Sequence, residues 1–340
     1  MKLLFFTDLH MCPRASIINK WGLNYSSRLE NCITSVNWVE KKAKELNCDY
    51  IVCLGDFFDK PDLTSDTITA CKEIKWSNIK HFTIVGNHDA SNSSLTFNSV
   101  NSLLSAKHKI ISEPTKMELD NCEICFLPYI VECDRKPIEE YFGKATKPRV
   151  ILSHNDISGI QLGPVVSRTG FSVEEIEANC DYFLNGHLHN GQVISSKIIN
   201  LGNLTGKDFG EDAFKHSHNI LILDTNTMEL EFIENPYAYN FYKISINTKS
   251  DIAILDKLKN NAVLSIKCDS TLVDKVKKRI EELKDTIVES RIIVVKKYEE
   301  ASETIELDLT VDHLARFIEC CKVNIEDSKL LEEELSEICK

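Results

Sequence analysis

The sequence has no apolar run near the roughly 20 residues that cross a bilayer, so neither a membrane-spanning helix nor a membrane partner is expected. It has no surplus of positive charge: 40 Lys and Arg face 52 Asp and Glu, a net charge of -12. That excludes a protein that coats nucleic acid through a general basic surface. An enzyme whose bound cations provide the local positive charge remains open. Internal repeats and low-complexity tracts are absent. A disulfide framework is lacking too, because the 13 cysteines are odd in number and scattered. MKLLFFTDLH starts like a signal peptide, but Asp8 and His10 interrupt it before a usable apolar region forms. Most cysteines are therefore expected to be reduced and buried in an intracellular, cytoplasmic protein. Cys122-x-x-Cys125 has no second CxxC and lies in CEICFLPY, which reads as a strand rather than a zinc site.

What is present is an alternation. KLLFFT, DYIVCLGD and KHFTIVGN read as buried strands. Between them, Leu29, Ile33, Val36, Val39, Ala43 and Leu46 fall at helical spacing over 27–46 with Ser26 or Ser27 as N-cap, and 64–76 fits a second helix. Another helix is expected near 94–105. This β-α-β-α-β order implies a parallel sheet covered by helices. After residue 108 shorter strands follow, with helical patches near 135–143 and 172–178, which suggests a second sheet packed on the first. NPYAYN at 235–240 reads as a boundary. Beyond it, strands and helices alternate again to about residue 295, and two further helices are expected at 310–322 and 326–338. The last carries an apolar stripe and an acidic opposite face.

Five strand endings carry polar, metal-competent residues: Asp8-Leu9-His10, Gly55-Asp56 with Asp59, Gly86-Asn87-His88-Asp89, Ser153-His154-Asn155 and Gly186-His187-Leu188-His189. In open α/β sheets the carboxyl ends of strands line the ligand crevice, so these endings are expected to converge. Imidazole, carboxylate and an amide oxygen together suit a pair of divalent ions. In an extended segment alternate side chains share a face, so the spacing of two in D-L-H and H-L-H aims both ligands one way and the leucine into the core. Each piece alone is ordinary turn chemistry; the ordered set is not. His81, His108, His216, His218 and His313 lack such partners and are read as structural.

These motifs resemble those of the calcineurin-type metallophosphoesterases over residues 1–235. The resemblance implies a four-layer α/β/β/α sandwich with two divalent ions, manganese by family likeness. One ion would be held by Asp8, His10 and His189, the other by Asn87, His154 and His187, with Asp56 bridging. His88 would be the catalytic histidine, oriented by Asp59. Within the superfamily the chain is similar to the SbcD-type nucleases of double-strand-break repair and phage recombination. In GDFFDKPDLTSDTI, Lys60 and Pro61 replace the Arg-Gly of phosphoprotein phosphatases, and NLGNLTGKDFGED matches the nuclease branch after the last histidines. The likeness implies a small α+β capping domain at 240–300 and a helical segment at 301–340 that docks on an SMC-like, SbcC-type ATPase. The implied partners are DNA, that ATPase and a second copy of the chain in a homodimer. A stand-alone phosphodiesterase or phosphatase for nucleotides or small phosphoesters is the competing enzyme reading. A binding scaffold without chemistry is disfavoured because every motif position is filled.

Overall fold

The structure, a computed structural model, describes residues 1–295 apart from residues 19, 23, 163 and 164. β1 (Lys2–Phe6), α1 (Ser27–Glu45), β2 (Tyr50–Cys53), α2 (Ser65–Lys72), β3 (Lys80–Ile84) and β4 (His108–Ile111) give the expected alternation. Ser26 caps α1 by accepting from the Leu29 N–H, and Leu29, Cys32, Val36, Val39 and Ala43 bury its apolar stripe. Next come β5 (Thr115–Glu118), β6 (Glu123–Leu127), α3 (Ile138–Phe142), β7 (Arg149–Ser153) and α4 (Val173–Asn179). They are followed by β8 (Tyr182–Asn185), β9 (Gln192–Val193), β10 (Ile198–Asn200), β11 (Asn219–Asp224) and β12 (Glu229–Glu234).

These strands make two six-stranded sheets, ordered β12-β11-β1-β2-β3-β4 and β9-β10-β8-β7-β6-β5. β1 to β4 run parallel, as do β6, β7, β8 and β10. Pleating sends alternate side chains to opposite faces. Leu3 and Phe5 enter a layer shared with Leu152 and Leu184 of the other sheet, whereas Leu4 and Phe6 pack with Leu29 and Val36 of α1. Beyond the second sheet, Cys125, Ile151 and Phe183 pack with Ile138, Phe142 and Ile176 of α3 and α4. The architecture is therefore the expected α/β/β/α sandwich. Strands covered on both faces need no polar alternation, which is why KLLFF carries so little. A phenylalanine so placed contributes about 3–5 kcal/mol. The CxxC pair splits between layers, Cys122 lying between the sheets and Cys125 on the helical side.

β13 (Asn240–Ile246), β14 (Ala262–Asp269), α5 (Val273–Glu282) and β15 (Ile287–Val295) build an all-parallel sheet, β13-β14-β15, with its own core around Tyr242, Leu264 and Val276. NPYAYN, which reads as a boundary, is stitched down. Asn235 Nδ2 donates to the Leu204 carbonyl at 2.9 Å, and the Tyr239 N–H donates to Thr205 Oγ1 at 2.9 Å. Asn and Tyr pass for linker residues in a sequence, yet bury readily once each polar group has a partner. Met1–Val295 accordingly forms one compact unit. The helix expected near 94–105 is only a 3-10 turn, Ser99–Leu103. Asn98 accepts from the Asn101 N–H and donates to the Leu95 carbonyl, so its side chain competes with helical pairing. The helices expected at 310–322 and 326–338, and residues 296–300 of the α+β unit, lie outside the described residues. No helix among the described residues is long and apolar enough to cross a membrane.

Candidate metal centre

The five strand endings meet. Asp8, Asp56 and Asn87 follow β1, β2 and β3, while His154 and His187 follow β7 and β8. Their main chains are tied together: Asp8 N–H to the Gly55 carbonyl at 3.0 Å, His10 N–H to the Asp56 carbonyl at 3.0 Å, and Gly186 N–H to the Ser153 carbonyl at 2.9 Å. Two glycines leave the room. Gly55 sits at φ +112, where a Cβ would strike the His154 ring, and a Cβ on Gly86 would strike the Asp56 carboxylate.

The spacing of two works by a different route from the one the sequence suggests. Asp8, His10, Asp56 and His187 have φ values of 50, 46, 50 and 75°, so these turns are left-handed rather than extended. Such backbone costs non-glycine residues of order 1–3 kcal/mol each and persists where the surroundings over-determine it. Leu9 is buried against the α1 layer, and Leu188 packs partly against the outer layer, as the anchoring argument requires.

Asp8, His10 and His189 each offer a ligand atom within 4.8 Å of the others, and so do Asp56, His154 and His187. His10 Nε2 lies 2.9 Å from His189 Nε2 and 3.7 Å from Asp8 Oδ1. Asn87 Oδ1 lies 3.0 Å from His187 Nδ1 and 3.3 Å from His154 Nε2. Asp56 Oδ2 stands between the two groups, 3.6 Å from His10 Nε2 and 3.2 Å from His154 Nε2. A third trio, His10, Asp56 and His88, is equally close.

The donor set fits divalent cations. Asp8 Oδ1 is buried without a hydrogen-bond partner, a costly state that a cation relieves. Burial alone would raise the Asp8 carboxyl, but His154, His10 and His189 overcome it and hold it far below the usual carboxylate range. Burial would likewise depress His154, yet Asp56 and Asp8 push it up to about 9. Burial opposes a charged His10 too, and Asp59, Asp8 and Asp56 raise it nonetheless. The carboxylates thus demand positive charge in this crevice, and metal binding to such ligands releases the protons that otherwise supply it.

A sequence profile described as calcineurin-like phosphoesterase matches residues 1–191, a span that includes every one of these side chains. The chain belongs to the calcineurin-like phosphoesterases. No curated relative matches. Among solved structures it is similar to an archaeal phosphodiesterase, 16% identical with a TM-score of 0.36, covering 69% of this chain and 99% of that one. It is also similar to a dimetal phosphatase from Danio rerio, 12% identical with a TM-score of 0.40, covering 69% of this chain and 98% of that one.

Around this phosphoesterase's histidines the second ring nitrogens are all engaged. His10 Nδ1 faces Asp59 Oδ1 at 3.4 Å, His189 Nδ1 faces Glu211 Oε1 at 3.4 Å, and His187 Nε2 faces Asp156 Oδ1 at 3.2 Å. His154 Nδ1 donates to the Leu54 carbonyl at 2.7 Å. Such partners fix tautomer and ring orientation and raise ligand basicity. The fully buried Arg28 joins the outer frame, donating to the Gly206 carbonyl at 2.9 Å and the Leu9 carbonyl at 2.8 Å. Sequence reasoning misses Arg28, Asp156, Lys207 and Glu211. The only signal for the last two is their place in NLGNLTGKDFGED.

His88 sits at the rim. Its N–H donates to Asp56 Oδ1 at 2.9 Å, and its Nδ1 donates to the main-chain carbonyl of Asp59 at 2.9 Å. Asp59 therefore holds the His88 ring through its main-chain carbonyl rather than its carboxylate. That carboxylate is taken by Lys207, a full cation that outcompetes a neutral imidazole for it. Burial lowers the His88 pKa, and Asp56 offsets this only in part. The remaining described histidines have ordinary partners: His81 with Glu40 at 2.6 Å, His108 with Thr83 at 2.8 Å, and His216 and His218 with main-chain carbonyls. His313 lies outside the described residues.

Glu211→Gln gives a direct measure of this outer frame. Gln keeps an acceptor for the Asn203 amide and the Lys207 N–H but loses the charge facing His189. Manganese affinity, followed by calorimetric titration, is expected to fall roughly 10- to 100-fold while the melting temperature of the metal-free protein changes little. Unaltered affinity would remove Glu211 from this role.

Proposed function

We propose that this phosphoesterase is a metal-dependent nuclease that hydrolyses DNA phosphodiester bonds, as exonuclease and endonuclease, in recombination or repair. The main support is the α+β unit of β13, β14, α5 and β15 beyond the catalytic sandwich, which a hydrolase of small phosphoesters does not need. Lys60 and Pro61 in place of the phosphatase Arg-Gly agree with it. The net charge of -12 favours a second reading, a stand-alone phosphodiesterase for nucleotides or small phosphoesters, since an acidic surface holds a long polyanion poorly. In the nuclease reading that affinity comes from an SMC-like ATPase partner and from pairing of two copies of this chain.

Asp8, His10 and His189 would hold one ion, Asn87, His154 and His187 the other, and Asp56 both; manganese is the proposed metal. Such a pair supplies Lewis acidity and a deprotonated water at neutral pH. The chain's own residues do the rest. Asp56 joins the two groups and holds the His88 N–H. With Nδ1–H held by the Asp59 carbonyl, His88 in its imidazolium form presents Nε2–H. The Nε2 proton would pass to the leaving sugar oxygen, leaving the neutral Nδ1–H ring to regain a proton from water before the next turnover. Asp59, Asp156 and Glu211 keep the imidazoles aligned.

The test is digestion of linear duplex DNA against hydrolysis of bis(p-nitrophenyl) phosphate, with manganese, with and without a co-purifying ATPase. Degradation of DNA that the ATPase stimulates is expected. Turnover of the small diester with DNA left intact under both conditions would favour the second reading.

A further inference from the structure

Beside the metal centre lies a cavity of about 300 Å³ that the mechanism does not use. Asp59 is the wall shared by the two, since its carboxylate faces His10 and its carbonyl holds His88. Met11, which directly follows the ligand His10, forms the apolar lining together with Cys12, Pro13 and Leu63. The first two are nearly inaccessible from outside, and Pro13 and Leu63 are half-buried. Arg14 and Lys60 line the same cavity, are exposed, and make no ion pair among the described residues.

The charge pattern is specific. The one carboxylate between cavity and metal centre, Asp59, is already matched by Lys207. Arg14 and Lys60 therefore outweigh the exposed Asp62 at this mouth, on a chain whose overall charge is -12. An apolar pocket near the lower limit for ligand cavities, with cations at its rim, suits a flat apolar body joined to an anion.

We propose that this cavity is the subsite for the nucleoside flanking the scissile phosphate. Its base packs against Pro13 and Leu63, the accessible part of the apolar lining, and Arg14 and Lys60 pair with the next phosphate along the strand. The subsite rests on the phosphodiester reading above, and it makes a polynucleotide, rather than a mononucleotide, the preferred substrate.

The experiment uses the full manganese-loaded chain, a single-stranded oligonucleotide and bis(p-nitrophenyl) phosphate. In the double variant Arg14→Ala/Lys60→Ala, kcat/KM for the oligonucleotide is expected to fall at least about 10-fold, with a shallower salt dependence, while the small diester is hydrolysed as before. Independently, one abasic sugar moved along the oligonucleotide should slow wild-type cleavage about 10-fold only when it abuts one side of the cut bond. Equal loss on both substrates, or indifference to both changes by an enzyme that does cut oligonucleotides, overturns the subsite alone. A wild type that hydrolyses the small diester but no oligonucleotide overturns the nuclease reading, and the subsite with it.

Discussion

Asp56→Ala is expected to bring hydrolysis down to the assay background and to leave at most one cation per chain. Asp56 Oδ2 stands between the two groups of ligands, 3.6 Å from His10 Nε2 and 3.2 Å from His154 Nε2. Losing it strips negative charge from both sites at once. Changes one layer further out cost about 10- to 100-fold in metal affinity, so a shared carboxylate should cost more than that. A second loss compounds the first: the His88 N–H, bonded to Asp56 Oδ1, is left without its acceptor, and His88 drifts from its position. Asp56→Asn separates the two effects. The amide oxygen still receives the His88 N–H, but the charge is gone, so metal loss persists while the rim geometry survives. Metal content by mass spectrometry after gel filtration, with rates on a diester, checks both variants. Two ions retained by the alanine variant, or surviving activity, would refute the shared-carboxylate scheme.

The contrast between Asp56 and Glu211 shows what a sequence carries. Asp56 stands in a short motif at the end of an apolar strand, and so do Asp8, Asn87, His154 and His187. Strand runs such as KLLFF and YIVC are legible because burial on both faces removes polar residues, and a ligand placed just after such a run announces itself. The same logic made the layered sandwich readable from the β-α alternation. Glu211, Asp156 and Arg28 lie in no periodic pattern and acquire a role only from what folding puts opposite them. Arg28 in particular draws no comment from the sequence pattern, yet it is fully buried, with the main-chain carbonyls of Leu9, His10 and Gly206 around its guanidinium. Backbone handedness was equally hidden: nothing in D-L-H announces a positive φ at both ends. NPYAYN misleads in the opposite sense, since Asn235 and Tyr239 bond to residues far away in the chain.

His88→Ala is expected to keep both cations and lower kcat on DNA by about 10²- to 10⁴-fold. Alanine retains the main-chain N–H that Asp56 Oδ1 accepts, so the junction between the two ligand groups is left in place. What goes is the imidazole whose Nδ1 is spent on the Asp59 carbonyl and whose Nε2 remains for proton transfer. A proton donor matters in proportion to how badly the leaving group needs the proton. The alkoxide of a sugar is a strong base and needs it, whereas p-nitrophenolate departs as a stable anion. The loss should therefore be large on DNA and small on bis(p-nitrophenyl) phosphate, with KM little altered on either. The close third trio of His10, Asp56 and His88 makes metal content the decisive companion measurement. If the variant loses an ion, His88 is a ligand and the proton-donor assignment fails. If it keeps both ions but slows equally on both substrates, His88 stabilises the phosphate rather than the leaving oxygen.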